Sequence, residues 1–555
     1  MAKDKPALAA VIQKDIEQLA HLGYRQQLFR QMGGFSNFAI SFSIISILTG
    51  AIVLFGYGLK FAGPIINSVG WPVVSLFTLC VAASMAELAS AYATAGGLYF
   101  WAFRLGGKTW AWTTAWFNMI GQLTINAATN WAAAVYFIGA AIRVFHLPAD
   151  LHVPLFGRLD NHSFQIFVMV WIMIPQVLIN IAGVKLMARL NDFSVWWHIA
   201  GVLLIAFLLT FFAQYHSSAA FLFSHTNSVT PLDASSDTLP GGKVGPALVF
   251  GDTKIASPLF ALFPGLASFY KAAPFGLVFL LGMLQAQWTY TGFDASANTA
   301  EETVEAHLNS AWGIFLSVAV SAIVGYVLLM ILTWCIPPGK LAETANDTYP
   351  VLYIMDHNLS EFFANLVAVV LGGAMWLCGC SGLTSMARTW YAFARDDGIP
   401  GAALLKRVNP RFGTPIWAIL LTSTLGAVIC VYAAAFSVVT SISTITLYIA
   451  YIIPVYLNWR NKRRQRGEYT TPQTAPWNLG RWGALINGLA IAWTLLILVV
   501  FSIPPNELVF WSMLLLGALL ALYWMLHAGR HFHGPTKEDE RALQTGLNLA
   551  GSGKK

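Results

Sequence analysis

Long charge-free apolar runs, separated by short clusters of charged residues, fill most of the chain. A hydrocarbon core about 30 Å thick takes ~20 residues of helix. The runs reach or exceed that length and predict twelve spans. Span 1 lies within 31–59, span 2 in 61–87, span 3 in 109–142, span 4 in 163–184, span 5 in 189–215 and span 6 in 272–293. Span 7 lies in 308–335, span 8 in 362–387, span 11 in 482–503 and span 12 in 508–526. Between Arg411 and Arg460 stand 48 uncharged residues, too many for one helix. They predict spans 9 and 10, divided near 433–436. The fold class that follows is an all-α polytopic membrane protein with 12 transmembrane helices.

Composition agrees. The chain has 555 residues, of which 57% are hydrophobic and 10% charged, against roughly 25% charged in a soluble globular protein. This excludes a soluble enzyme, a disordered scaffold and a secreted disulfide module. The net charge of +7 reads as inner flanks of membrane helices, with no nucleic acid implied. With the N-terminus inside, the inner segments hold 25 Lys+Arg and the outer ones 7. That bias places both termini in the cytoplasm, in a multi-pass protein of the plasma membrane. The first residues are polar and lack an apolar signal core, so no cleaved leader is expected. The five Cys, including Cys378 and Cys380, lie in apolar stretches and read as reduced packing residues. Residues 15–30 predict a short amphipathic surface helix. The outer stretch 216–271, rich in Ser, Pro and Gly, reads as a solvated linker, with a lid as the alternative. His527, His531 and His533 read as part of a solvated basic tail.

Spans 1 and 6 carry helix-breaking chemistry at mid-depth. One reads Ser41-Phe-Ser-Ile-Ile-Ser46-Ile47-Leu48-Thr49-Gly50-Ala51, the other Trp288-Thr289-Tyr290-Thr291-Gly292-Phe293-Asp294-Ala-Ser-Ala297. Glycine costs ~1 kcal/mol against alanine inside a helix. Unwound backbone at membrane depth persists only where it lines a cavity or is buried in protein. Either glycine alone could be a small residue at a helix contact. The pair, each flanked by hydroxyl residues and five helices apart, has the spacing of two five-helix inverted repeats. A half-helix N-terminus offers N–H groups to a carboxylate, and a C-terminal end offers carbonyls to an ammonium. A zwitterion such as an amino acid carries both groups.

Ionisable residues at depth are costly and mark function or pairing. Asp294 could bind a substrate amine, titrate, or anchor the span 6 hinge. Glu87 reads as structural at the inner end of span 2, and Glu301 and Glu302 as inner-loop gate or interface residues. His198, well inside span 5, is either a hydrogen-bonded core residue or a proton-exchanging group.

Three stretches resemble the amino acid–polyamine–organocation superfamily. They are Met85-Ala-Glu-Leu-Ala-Ser90 through Gly96-Gly97-Leu-Tyr99-Phe-Trp101, then Gly292-Phe-Asp294 with Ala300-Glu-Glu-Thr303, then Ala394-Arg-Asp-Asp-Gly-Ile-Pro400 with Val408-Asn-Pro-Arg-Phe-Gly-Thr-Pro415. The run from Leu22-Gly-Tyr-Arg to Ser46 is most similar to the amino acid–choline transporter subgroup, which includes GABA permeases. The resemblance covers residues 20–530. It implies a leucine-transporter-like five-plus-five inverted-repeat core over 36–459 with spans 1 and 6 broken, after a cytoplasmic segment 1–35. A basic cytoplasmic loop 460–481, helices 11 and 12 in 482–527 and a C-tail 528–555 would follow. Substrate would sit on Ser46 to Ala51 and on Thr289 to Phe293, with Trp288 or Tyr290 as an aromatic gate. His198 falls where a proton-coupled member has a Lys, and with Asp294 it is a coupling candidate. Ser381 and Thr384 lie near the region of a sodium site in sodium-coupled relatives. Ala93 replaces the family's usual Pro, and the loop 304–309 lacks its common basic residue.

The function implied is secondary active import of an amino acid or related amino compound such as GABA. The coupling ion would be the proton, with sodium as the alternative; no cofactor or bound metal is implied. An ion-independent amino acid or polyamine exchanger, a choline or polyamine carrier, and a nutrient-sensing receptor on a transporter fold are the other readings. The nucleophile-elbow, zinc-protease and P-loop patterns that would suggest an enzyme are absent.

Overall fold

The computed structural model describes residues 5–148, 151–159, 161–225, 229–239, 243–250, 253–256, 258–266, 274–432, 436–465, 467 and 470–535. Among these, ten helices are long and apolar enough to cross a membrane. They are Gly34–Val53, Ile66–Ala91, Lys108–Val144, His162–Ala182, Val184–Phe212, Ala306–Trp334, Glu361–Arg395, Val438–Arg463, Gly480–Val500 and Glu507–His531. Two shorter apolar helices, Phe275–Thr289 and Ile416–Val431, fall where spans 6 and 9 are expected. The first is short because it stops at an unwound stretch. The division between spans 9 and 10 falls on residues 433–435, outside the described residues, and on Phe436, which opens the next helix. Of the C-tail, residues 536–555 are likewise outside them.

Spans 1, 3, 8 and 10 are the most buried of the long helices. Span 3 packs on spans 8 and 10, and span 7 packs on spans 1 and 2. Apolar faces turn to the lipid, as on span 12, where Leu514, Leu515 and Leu519 are exposed. In hydrocarbon this exposure carries no penalty, so the helices need not be amphipathic.

Two expectations are corrected. The amphipathic helix read over 15–30 lies instead at Lys5–His21. It ends where the Tyr24 N–H returns to the Leu19 carbonyl (3.2 Å), and the chain then runs extended into span 1. The outer stretch read as a solvated linker holds a three-stranded antiparallel sheet of Val229–Leu239, Lys243–Phe250 and Thr253–Ala256. Its first hairpin pairs Val229 with Phe250 and Leu239 with Lys243.

On the basic side, the segment before span 1 is tied across the ends of spans 6 and 8. Arg388 grips Glu302 through two bonds (3.1 and 3.0 Å), with both side chains at 0% exposure. Arg395 grips Glu301 in the same way (3.0 Å each) and lies 3.8 Å over the Tyr24 ring. Tyr24 and Tyr99 both donate to Asp396. Burial and the Asp396 carboxylate push the Tyr24 phenol well above its usual range, so it stays a neutral donor. Arg30 donates to the Ala300 and Thr303 carbonyls. Removing one partner of a buried pair strands the other charge, at a cost of about 3–5 kcal/mol. Glu302→Ala should therefore lower the melting temperature of the detergent-solubilised protein sharply. Replacing Glu302 and Arg388 together by methionine should restore most of the loss. Equal melting curves for wild type and Glu302→Ala would show that the pair contributes nothing.

On the opposite side, helices Leu341–Asn346 and Pro350–Asn358 cover the C-terminal half of span 1. Arg143, at the end of span 3, holds Asp356 of that cover through both carboxylate oxygens.

Candidate functional site

The first helix, Gly34–Ile45, stops at Ser46, whose φ of 36° is left-handed. That conformation costs a non-glycine residue roughly 1–2 kcal/mol. Two side-chain bonds hold it. Ser46 Oγ lies 2.7 Å from His198 Nε2 and 2.6 Å from Thr49 Oγ1. The Ser46 carbonyl accepts from the N–H groups of Thr49 (2.8 Å) and Gly50 (3.0 Å), and helix resumes at Gly50–Val53. The N–H groups of Ile47 and Leu48 are left with no backbone partner among the described residues.

Span 6 opens in a complementary way. Helix Leu284–Thr289 gives out at Tyr290, Gly292 has a φ of 83°, and a short helix restarts at Ala295–Asn298. Two tyrosines of span 10, three residues apart and so on one helix face, replace the lost bonds. Tyr448 donates to the Tyr290 carbonyl (2.8 Å). The Gly292 N–H donates to the Tyr451 oxygen (3.0 Å), and Tyr451 donates in turn to Asp294 Oδ1 (2.7 Å). Ser41 of span 1 donates to the Phe293 carbonyl (2.9 Å). The carbonyls of Thr289 and Thr291 accept no backbone bond among the described residues.

The two openings press on each other reciprocally. A Cβ on Gly50 would stand 2.7 Å from the Thr289 Cα, and one on Gly292 would stand 2.2 Å from Ile44 Cγ2. Each glycine is thus set against the other span beside its break. Ser46 to Ala51 and Thr289 to Phe293 are all buried. Among the described residues the site therefore has unpaired backbone donors on span 1 and unpaired backbone acceptors on span 6. Each such buried group costs about 1–3 kcal/mol when left unpaired.

His198 is buried, and its Nδ1 lies 2.7 Å from the Ser194 carbonyl. A carbonyl only accepts, so Nδ1 carries hydrogen and Nε2 of the neutral ring accepts from Ser46. Asp294 is fully buried and faces three donors, with Gln122 (3.0 Å) and Asn298 (2.8 Å) on Oδ2 beside Tyr451 on Oδ1. No ion pair to it occurs among the described residues. Its contacts fasten the span 6 opening to spans 3 and 10.

Trp288 donates to Ser443 (3.1 Å) and meets Phe436 edge-on at 5.6 Å. Tyr290 turns to span 2, with its hydroxyl 2.6 Å from Ser75 and its ring 4.9 Å from Trp71. Ser381 and Thr384 donate to Asn191 (2.8 Å) of span 5 and Asn180 (2.7 Å) of span 4. On span 8 the Cys378 thiol reaches span 1 and donates to the Ile44 carbonyl (3.2 Å).

Tyr448, Tyr451 and Cys378 thus join the candidate site without having been found by sequence reasoning, which had Ser41 only as part of the span 1 stretch. Two tyrosines at helical spacing in an otherwise apolar run were the one available signal.

A family model described as amino acid permease matches residues 32–526. Amino-acid permease BAT1 of Arabidopsis thaliana is 30% identical, over 93% of this chain and 95% of its own length. Its homolog in Oryza sativa shows the same identity over the same shares. An amino-acid permease of Schizosaccharomyces pombe is 26% identical, over 96% of this chain and 90% of its own.

Proposed function

This chain belongs to the amino acid permease family, and from that premise we propose that it imports an amino acid or a closely related amino compound across the plasma membrane, coupled to protons, by alternating access. The observation that carries this reading is that the Ile47 and Leu48 N–H groups and the Thr289 and Thr291 carbonyls, without a backbone partner among the described residues, lie on two buried openings that touch at Gly50 and Gly292. The first set suits a carboxylate and the second an ammonium. A polyamine or choline brings no carboxylate and leaves the span 1 donors unpaired, which a site built for hydrogen bonds penalises strongly.

Proton coupling rests on the His198–Ser46–Thr49 chain. With His198 neutral, Ser46 donates to the ring and accepts from Thr49. A proton on Nε2 makes the ring a donor, so Ser46 must turn its hydrogen toward Thr49. The charge state of His198 thereby sets the polarity of hydroxyls inside the span 1 opening. Both termini are assigned to the cytoplasm on the 25 to 7 distribution of Lys+Arg. The inner lock and the outer cover would then open in alternation.

The test is uptake of labelled amino compounds into proteoliposomes, with and without an acid-outside gradient. Zwitterionic amino acids should accumulate above the outside concentration only with the gradient. Gradient-independent exchange alone, or preference for polyamines, would refute the proposal.

A further inference from the structure

We propose that the hollow between spans 10 and 11, on the basic side, binds a phosphorylated lipid headgroup. It is a cavity of about 670 Å³, lined among others by Lys462, Thr470, Thr471, Gln473, Asn478 and Arg481. The lining holds two cations, two hydroxyls and several side-chain amides, and no carboxylate among the described residues. A phosphoryl group offers several acceptor oxygens to such a set of donors, and charge-assisted bonds to Lys and Arg are the strong ones.

Two further observations place the hollow at headgroup depth. Arg460 lies 5.8 Å over the Tyr456 ring and Arg463 lies 4.8 Å over Trp459, at the end of span 10. Aromatic rings with cationic tips mark the boundary between hydrocarbon and water. The stretch 460–481 carries six Lys+Arg against the single acid Glu468, a density that draws anionic lipid.

Lys462 is half committed. Its ammonium lies 2.8 Å from Glu87 of span 2, which also accepts from Asn458 (3.2 Å) and from the Leu479 N–H (3.3 Å). Glu87 thereby fixes one wall, while Arg481, which lies 5.4 Å over the Trp482 ring, makes no ion pair among the described residues and supplies the second cation. Tyr92 of span 2 donates to the Thr470 carbonyl (3.2 Å), and the Thr471 N–H donates to Asn458 of span 10 (3.2 Å). The walls are therefore hung from spans 2 and 10. An occupant stiffens the joint between span 2 and the helix whose tyrosines hold the span 6 opening. This inference stands independently of which substrate is carried.

The experiment uses the full-length protein in detergent, with dioctanoyl phosphatidic acid, dioctanoylglycerol and inorganic phosphate as probes. Binding is read by calorimetry and by melting temperature. Phosphatidic acid should bind saturably and raise the melting temperature, and the phosphate-free dioctanoylglycerol should not. Arg481→Gln should weaken binding about tenfold, with uptake into liposomes lacking anionic lipid unchanged. If inorganic phosphate alone reproduces the shift, the anion site stands and its occupant is the free ion. An equal response to dioctanoylglycerol, no response to either phosphoryl probe, or undiminished binding by Arg481→Gln overturns it.

Discussion

Uptake falls by about 100-fold or more when Gly50 or Gly292 is replaced by leucine, while the protein still reaches the membrane and elutes as a single species. The size follows from how strongly transport depends on placement, since a misplacement of about 1 Å can cost 10²-fold. The two sites fail differently. At Gly50 the first atom met is the Thr289 Cα, 2.7 Å from the new Cβ, and backbone cannot swing aside. Even Gly50→Ala must push span 6 away. At Gly292 the obstacle is the Ile44 side chain at 2.2 Å, which can be trimmed, plus the left-handed φ of 83°. Ile44→Ala should thus recover part of the activity lost in Gly292→Ala and none of that lost in Gly50→Ala. Membrane yield and size-exclusion profiles separate misfolding from lost transport. If both leucine variants transport normally, the backbone-site reading is wrong.

The second large effect is on energetic coupling. His198→Gln should abolish accumulation driven by an acid-outside gradient while exchange of internal for external substrate continues. Glutamine can still bond Ser46, so the left-handed turn survives, but it cannot take up a proton near neutral pH. His198→Ala removes the bond as well and should depress exchange too, because Ser46 loses a contact that holds its strained backbone (2.7 Å). Gradient-driven accumulation that persists in His198→Gln would remove His198 from the coupling scheme.

The membrane helices were legible because each is a local run of one composition, and burial in lipid asks for little else. Both interruptions were legible for the same reason, as glycine and hydroxyl residues set in apolar sequence. Their internal geometry was not. The sequence marks the first break over Ser46 to Ala51 by its glycine, yet the left-handed residue is Ser46 at its start. Its strain is tolerated because of a bond to a histidine 152 residues away, which no local pattern records. The tyrosines of span 10 escaped notice likewise, since their partners lie 157 to 159 residues off in sequence. The partners of Ser381 and Thr384, Asn191 of span 5 and Asn180 of span 4, lie 190 and 204 residues away and follow from packing alone. The N-terminal helix was displaced because a short amphipathic pattern gives weak boundaries, whereas the stretch after it is held by bonds to spans 6 and 8.

The paired tyrosines of span 10 carry one last consequence. Because their hydroxyls take over bonds that a continuous helix would have made, the uncoiled part of span 6 is a stiff mould rather than a floppy hinge. A visiting molecule then has little slack to take up on arrival, and the entropy of shaping its berth is lost at folding instead of at every turnover. Removing those two hydroxyls should therefore loosen the grip on cargo most at higher temperature and low cargo concentration, long before it alters how much protein reaches the membrane.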